Sequence, residues 1–369
     1  MICYYLGQTK ILFDGGVRMR KKILVSLIGG ICVVLILTAQ PILGISKAAE
    51  KVIKWKIQTM WVPGGFDHNA FSKSPEGFCS MVEKASGGRL KIIPFSAGSI
   101  VPVFEHVDAV GKGVIQGSAT SPAYWAGKIP VAGFAACLPY NLEGLSDVDT
   151  YIWELGTLDI VREAYSKFNI YPVTICNNTD SPLMSRKPVR RLEDFRGLKV
   201  RVVGMQADVM KRLGASVTLM PSPEIYMALE RGVLEATNFG GIKSETDLGL
   251  HEVTKYILLP PVSESITSEL MVNLDSWNAL SDDLKSIVET SAYYWATRYS
   301  RQLWLLNQQK MNELVSQGKM EVIRLPSEDV AKLRKIAYEV IKDYSTTDAY
   351  CARAFKILDD YLRLQGYVK

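Results

Sequence analysis

Strand and helix patterns alternate between Arg186 and Gly241, and this alternation constrains the fold more than any other feature of the chain. Runs rich in β-branched residues predict three strands, at Lys199–Val203, Val217–Met220 and Val233–Phe239. Apolar residues at helical spacing fill the first interval, and Ser222 as N-cap with Pro223 behind it begins a helix in the second. Strands that are joined by crossover helices predict a parallel sheet.

Polar and aromatic residues lie where two of these strands end. Arg201 lies near the end of the first strand, and Asn238 and Phe239 close the third. Because ligands of open parallel sheets bind beyond the carboxyl ends of the strands, we expect these three residues to line a binding site. A guanidinium group matches a carboxylate with two parallel charged hydrogen bonds. The strand pattern by itself also fits an arginine that faces solvent.

The same segment carries a family resemblance. The runs LEDFRGLKVRVVG, LGAS and PSPEIYMALERGVLEAT follow one another in the order and spacing of the solute-receptor subunit of tripartite ATP-independent periplasmic (TRAP) transporters, the DctP-like family. The segments Ser86–Pro102 and Ala109–Ser118 extend the resemblance over nearly the whole chain beyond the N-terminus. The chain therefore resembles a receptor that binds a small organic acid and delivers it to a membrane permease driven by an ion gradient. In that family the arginine at the place of Arg201 grips the substrate carboxylate.

The resemblance and the strand rhythm together predict an α/β fold with two lobes, similar to type II periplasmic binding proteins. Each lobe is expected to hold a small, mostly parallel sheet flanked by helices. The predicted boundaries are an upstream and export segment at 1–48, lobe 1 at 49–178 with 265–300, lobe 2 at 179–264 with 301–345, and a C-terminal helix at 346–369. A helical pattern from Ser281 to Gln317 predicts a helix long enough to touch both lobes, although an ordinary core helix fits the same pattern.

Length and composition fit this class. The chain has 369 residues, of which 48% are hydrophobic and 22% charged, as in a globular protein of about two domains. The net charge of +5 is modest, and no basic block follows the N-terminal segment, which argues against nucleic acid as a partner.

The N-terminal segment predicts export to the periplasm. The basic group Arg18–Lys22 precedes Ile23–Ser46, which carries no charge, as in a signal peptide. Small residues place cleavage after Gly44 or Ala48, while the length of the apolar run leaves a retained anchor open. Met19 directly precedes Arg20, Lys21 and Lys22, and we expect translation to begin there.

Four cysteines lie beyond the export segment, namely Cys79, Cys137, Cys176 and Cys351. They are widely spaced without a CxxC motif, so they predict no metal site. One disulfide and buried free thiols both remain open.

Further site residues are expected on loops and strand ends. Trp61 follows the first strand of the mature chain, and Ser121 and Tyr124 follow its third strand. Ser181 lies near a mid-chain crossing between the lobes, and Glu269 lies among hydroxyl residues. An aromatic ring with hydroxyl groups is usual in a small-molecule cleft, but simple packing explains each of these residues equally well.

A cofactor is not expected. Some 2-oxoacid-binding relatives have an acidic residue and a tryptophan where this chain has Asn238 and Phe239, and that acidic residue helps to hold a cation. The substitution puts a bound cation in doubt. An amide still offers donors and an acceptor to a ligand oxygen.

Nothing in the chain predicts catalysis. Motifs for a serine nucleophile, a zinc site or a phosphate loop are absent, and the three histidines are scattered. The alternatives that stay open are a ligand-sensing module or a secreted hydrolytic enzyme on the same fold. The sequence leaves open which acid binds and whether the protein forms a homodimer.

Overall fold

A computed structural model describes residues 52–136, 138–142 and 144–368, apart from the side chains of residues 264 and 265. The strands among these residues are β1 Ile53–Thr59, β2 Leu90–Phe95, β3 Gly117–Thr120, β4 Ile170–Ser185, β5 Lys199–Arg201, β6 Ser216–Val217, β7 Ala236–Thr237, β8 Tyr256–Asn273 and β9 Glu321–Arg324.

Helices separate most of the strands. They are α1 Phe66–Ser72, α2 Phe78–Ala85, α3 His106–Gly111, α4 Ala132–Ala135, α5 Leu145–Asp149, α6 Thr157–Ser166, α7 Met205–Arg212, α8 Ser222–Glu230, α9 Ile242–Asp247, α10 Leu250–Val253, α11 Leu274–Asn278, α12 Asp282–Ser316, α13 Ser327–Tyr344 and α14 Ala349–Leu364. Short 3-10 turns lie at Val103–Glu105, Pro122–Trp125 and Leu192–Phe195, and a π turn at Thr150–Glu154.

The sheet contains two parallel groups. Strand β1 pairs in parallel with β2 and β3, and β5 pairs in parallel with β6 and β7. The long antiparallel strands β8 and β4 lie between the groups, so that the order is β2-β1-β3-β8-β4-β7-β5-β6, with β9 added to β8. The predicted α/β class is confirmed. The two groups also share one hydrogen-bonded sheet, which the sequence patterns did not predict.

The second helix of the Arg186–Gly241 segment begins one residue earlier than predicted. Pro221 occupies the N-cap position of α8, and Ser222 is its first helical residue. The Ser222 hydroxyl does not cap the helix, because it donates instead to the backbone oxygen of Met60 at 3.3 Å. The predicted N-cap was therefore wrong by one residue.

The long helix is confirmed. Helix α12 runs for 35 residues, with Ser281 as its N-cap and Gln317 as its C-cap. It packs along β4, α2 and α9. Since α2 lies between β1 and β2 in the chain and α9 follows β7, the helix touches elements next to both parallel groups. Over the part of the chain that the structure describes, no helix combines the length and apolar character that a membrane span requires.

Of the two possibilities for the cysteines, buried free thiols are observed at three described positions. Cys79, Cys176 and Cys351 are buried and free, and burial raises the pKa of the Cys351 thiol to about 12. Cys137 lies outside the described residues. The predictions for the export segment, its cleavage, a retained anchor and a start at Met19 also fall outside them.

Candidate functional site

Arg201 ends strand β5, at the edge of the sheet where β7 also ends. Its register partner on β7 is Thr237. Gly204 follows with φ of 55°, a backbone conformation that suits glycine, and turns the chain into α7. The Arg201 side chain is only 1% exposed, although it carries a permanent charge. The sequence therefore places a buried cation at the strand end.

Every hydrogen-bond partner of this guanidinium group is neutral. Nε donates to the Met220 oxygen at 3.2 Å, and Nη1 donates to the Asn238 oxygen at 2.6 Å. Nη2 lies 3.4 Å from the Tyr124 hydroxyl, and the group lies over the Phe239 ring at 5.5 Å. Within the described part of the chain, no carboxylate forms a salt bridge with Arg201. A buried charge is costly without a counter-charge, and an anion beside the guanidinium would supply one.

The end of β7 is fixed to the middle of β4. The Asn238 side chain is 2% exposed, and its Nδ2 donates to the Ser181 backbone oxygen at 2.9 Å and to the Ser181 hydroxyl. That hydroxyl donates in turn to the Gly240 oxygen at 2.6 Å. The amide and hydroxyl groups thus hold the Asn238–Phe239 peptide where Arg201 can bond to it.

The loop after β3 reaches the same place. Ser121 is buried, and its hydroxyl accepts from the Ala123 N–H at 3.4 Å at the start of the 3-10 turn. Tyr124 in that turn contacts the edge of the Phe104 ring, with ring centroids 5.1 Å apart, and turns its hydroxyl to Arg201. A Cβ at Gly204 would lie 3.3 Å from the Ala123 Cβ, so the loops after β3 and β5 touch.

Arg201, Asn238, Phe239, Tyr124 and Ser181 are therefore connected by direct contacts. Two other predicted site residues have different surroundings. Trp61 is 3% exposed and packs among Phe71, Trp295 and Tyr299, at ring-centroid distances of 6.3, 6.4 and 6.0 Å.

Glu269 is fully buried and accepts from the Tyr165 hydroxyl at 3.2 Å. Burial raises the pKa of Glu269 to about 8, against a smaller lowering by that hydrogen bond. Among the contacts that the structure describes, neither Trp61 nor Glu269 touches Arg201.

Glu245 on α9 contacts this group of residues, and sequence reasoning missed it. It is fully buried, and its Oε1 accepts from the Phe239 N–H at 3.0 Å. Burial raises the pKa of this carboxyl group well above its ordinary value, and the hydrogen bonds from Phe239 and Gly240 and the charge of Arg201 partly offset the shift. An acid in the first turn of a short helix usually faces water, so no sequence pattern predicted its burial.

Several buried polar atoms near these elements have no hydrogen-bond partner among the described residues. They are Oγ1 of Thr237, both amide atoms of Gln206 and Oε2 of Glu245. Leaving such atoms unpaired costs about 1–3 kcal/mol each. A bound polar ligand can satisfy atoms of this kind.

Two hydrogen bonds tie the first parallel group to the helices of the second. The Phe66 N–H donates to Oδ2 of Asp247 at 2.8 Å, so the last residue of α9 caps the start of α1. The Ser222 hydroxyl donates to the Met60 oxygen. Lys243 forms an ion pair with the same Asp247.

Metal ligands are not assembled in the described residues, because no group of three or more histidine, cysteine, aspartate or glutamate side chains is placed to hold an ion. The Asn238 amide nitrogen and the Ser181 hydroxyl both donate hydrogen bonds to protein oxygens.

Comparison with known proteins decides the family. The profile of the DctP family, described as bacterial extracellular solute-binding protein, family 7, matches residues 67–347. The chain belongs to this family. Family 7 members are defined by solute binding rather than by a reaction, and the predicted recognition is confirmed.

Similar proteins agree with that assignment. A monocarboxylate 2-oxoacid-binding periplasmic protein of Nostoc sp. is 29% identical over 80% of this chain and 80% of its own length. A TRAP transporter solute-binding protein of Bordetella bronchiseptica, solved with calcium and picolinate, has a TM-score of 0.79 at 23% identity, covering 86% of this chain and 93% of that one. A TRAP periplasmic solute-binding protein of Pseudoalteromonas atlantica, solved with sodium and pyruvate, has a TM-score of 0.78 at 24% identity, covering 86% and 96%. These structures share the fold of this family 7 protein.

Proposed function

We propose that this family 7 protein is an extracytoplasmic receptor that binds a small organic acid, with the carboxylate held by Arg201, and delivers it to a TRAP-type permease. The observation that carries the proposal is a fully buried guanidinium whose described partners are all neutral. A ligand carboxylate supplies the missing counter-charge with two parallel hydrogen bonds. The 2-oxoacid-binding relative and the pyruvate and picolinate complexes support a small monocarboxylate.

The predicted residues that lie near Arg201 form the surroundings of that carboxylate. Tyr124 brings a hydroxyl group and Phe239 an aromatic face to the guanidinium, and Asn238 with Ser181 positions the peptide to which it bonds. Ser121 holds the turn that carries Tyr124. The unpartnered Gln206 and Thr237 atoms suit a keto or hydroxyl group beside the carboxylate.

The acid binds between two lobes that close on it. The proposed lobes are 49–178 with 265–300, and 179–264 with 301–345. The pairing of β4 with β8 has register shifts between Asn177 and Thr179 and again between Thr179 and Ser181, where the chain passes from one lobe to the other. Tyr124 belongs to the first lobe and Arg201 to the second, so a ligand between them favours the closed state.

The acid binds without a resident cation. Asn238 is neutral, and its amide nitrogen is already hydrogen-bonded to Ser181. The relatives solved with calcium or sodium make a cation the specific alternative, and a chelator tests it. Delivery to a permease places the protein in the periplasm after export, and a homodimer of the kind found in the Bordetella structure is compatible with that role.

A thermal-shift screen tests this function. The purified protein is heated with pyruvate, picolinate, malonate and neutral analogues such as pyruvamide, each with and without chelator. We expect the unfolding temperature to rise with one class of acid, to be unaffected by chelator, and to lose the rise in Arg201→Ala. A rise in unfolding temperature with neutral analogues alone, or a rise that persists in Arg201→Ala, would contradict a carboxylate site at Arg201.

A further inference from the structure

Glu245 and Arg201 bind opposite ends of one peptide group. Nη1 of Arg201 donates to the Asn238 carbonyl oxygen at 2.6 Å, and the N–H of the same peptide, on Phe239, donates to Oε1 of Glu245 at 3.0 Å. Both side chains are buried, at 1% and 0% exposure. A polarised peptide therefore links the cation of the site to a buried carboxyl group.

The carboxyl group has one oxygen free to carry a proton. Oε2 of Glu245 is buried and has no hydrogen-bond partner among the described residues. Burial disfavours its charged form, while the positive charge of Arg201 favours it. How much Arg201 favours the charged form depends on whether another negative group, such as a ligand, already compensates its charge.

Other charged groups on neighbouring elements act elsewhere. Asp67 of α1 interacts with Lys243 and Asp247 of α9, and His251 of α10 interacts with Glu252, Lys319, Lys310 and Glu313. Helix α12 presents the neutral Asn307 to the start of α9. Arg201 is the charged group that acts on Glu245.

Resting on the proposed function, we propose that Glu245 takes up a proton when a carboxylate ligand pairs with Arg201, so that ligand binding is coupled to proton uptake. At a pH above the pKa of Glu245 in the free protein, its ionised carboxylate lies across one peptide group from the buried guanidinium and offsets part of that charge. A bound carboxylate takes over that role and would leave one uncompensated negative charge in a buried site. A proton from solvent then binds to Oε2 and restores neutrality. No covalent bond between heavy atoms changes.

The coupling fixes the sign of the pH dependence. Binding raises the pKa of Glu245, because the ligand cancels the favourable effect of Arg201. Affinity for the acid is therefore highest below the pKa that Glu245 has in the free protein. It falls as pH rises from that value to the pKa that Glu245 has in the complex. The dissociation constant rises by at most about tenfold per pH unit within that window, since one proton is involved. Ligand carboxylates of ordinary pKa near 4 stay ionised across this range.

Isothermal titration calorimetry measures the proton directly. Pyruvate, or whichever of the screened acids binds best, is titrated into the protein in phosphate and in Tris at several pH values from 5.5 to 9, with chelator present. Because these buffers differ in ionisation enthalpy, the difference in measured heat gives the number of protons taken up. The same titrations are made on Glu245→Gln, which keeps an acceptor for the Phe239 N–H. The matched control is Asp329→Asn, a buried carboxyl group of α13 bonded to the Leu192 N–H.

We expect uptake that approaches one proton per ligand in part of this range, is lost in Glu245→Gln and is retained in Asp329→Asn. Binding that depends on Arg201 without proton uptake at any pH would overturn the inference and leave the proposed function intact. Uptake that survives in Glu245→Gln, or is lost only in Glu269→Gln, would assign the proton elsewhere and also overturn it. If Glu245→Gln does not fold, absence of uptake in the unmodified protein still decides against it. If no acid binds through Arg201, the proposed function fails first.

Discussion

The Tyr124 hydroxyl lies 3.4 Å from Nη2 of Arg201, and this contact joins the loop after β3 to the end of β5. The two residues are 77 positions apart in the chain and belong to different parallel groups of the sheet. Arg201 is held by its own strand neighbours, whereas Tyr124 approaches from the opposite group. The pair thus marks the place where a ligand can contact both groups at once.

Removal of the Tyr124 hydroxyl should weaken ligand binding. Tyr124→Phe keeps the ring and its contact with Phe104 but loses a neutral partner of the guanidinium. We expect a loss of about 0.5–1.5 kcal/mol, or roughly a 2- to 12-fold rise in the dissociation constant, which calorimetry measures. Tyr338→Phe is the control, because its hydroxyl bonds to Asp359 in the C-terminal helices. Equal affinity in wild type and Tyr124→Phe would place Tyr124 outside the site.

Arg201→Lys should weaken binding of the acid more than Tyr124→Phe does, because an ammonium group cannot reproduce the planar fork of donors in a guanidinium group. The variant loses charged hydrogen bonds worth about 1.5–3 kcal/mol, which corresponds to roughly a 10- to 150-fold rise in the dissociation constant for the acid. Arg186→Lys is the matched control, since Arg186 donates to the Leu229 oxygen away from the strand end. An unchanged dissociation constant in Arg201→Lys would exclude Arg201 as the carboxylate ligand.

Glu269 should make the free energy of unfolding depend on pH. Burial raises its pKa to about 8 in the folded protein, from 4.5, so the folded state binds the proton more tightly than the unfolded chain. The resulting stabilisation is fully present below pH 4.5 and is lost as pH rises towards about 8. Relative to Glu269→Gln, the wild type should therefore lose on the order of 3 kcal/mol between pH 5 and pH 8 in urea unfolding.

The control residue for that measurement, Glu235, has a pKa that is shifted in the opposite direction. The hydrogen bond from Lys187 holds the pKa of Glu235 below its ordinary value, so Glu235→Gln should leave the loss between pH 5 and pH 8 unchanged. Parallel stability curves for wild type and Glu269→Gln would mean that Glu269 is ionised in the folded protein.

The sequence predicted the parts of the fold that depend on local patterns. Alternating and helical periodicities located the β5 to β7 segment and α12 to within a few residues, because these periods report directly on which side of an element faces the core. The strand pattern then placed Arg201 near a strand end, and the family resemblance implied its role as the carboxylate ligand. Patterns of this kind say nothing about partners that are distant in the chain.

The unpredicted features all depend on such distant contacts. The pairing of β4 with β8 joins two long strands whose register is set by tertiary packing. Trp61 follows a strand, as a cleft residue would, but its ring lies among Phe71 and Trp295 of the core. Glu245 resembles a solvated helix-start acid until the fold brings it against Phe239. A single sequence cannot distinguish these environments, since the residue types suit both.

The contact between Asp247 and Phe66 should control closure. Asp247 on α9 belongs to one proposed lobe and caps the start of α1 in the other, where Gly65 provides no side-chain cap. Asp247→Ala removes this cap, at a cost of about 0.5–2 kcal/mol to the closed state only. The open state should then be more populated without ligand, and affinity should fall about 2- to 30-fold because closure must be driven by the ligand.

Small-angle scattering measures that shift through the radius of gyration. We expect Asp247→Ala to be more extended than wild type without ligand and to match it when saturated with the acid. Asp283→Ala is the control, because its ion pair with Arg89 lies within one proposed lobe. A ligand can change the population only by its differential affinity for the closed state. A variant that is equally compact with and without ligand would therefore contradict both the role of the Asp247–Phe66 contact and the proposed closure.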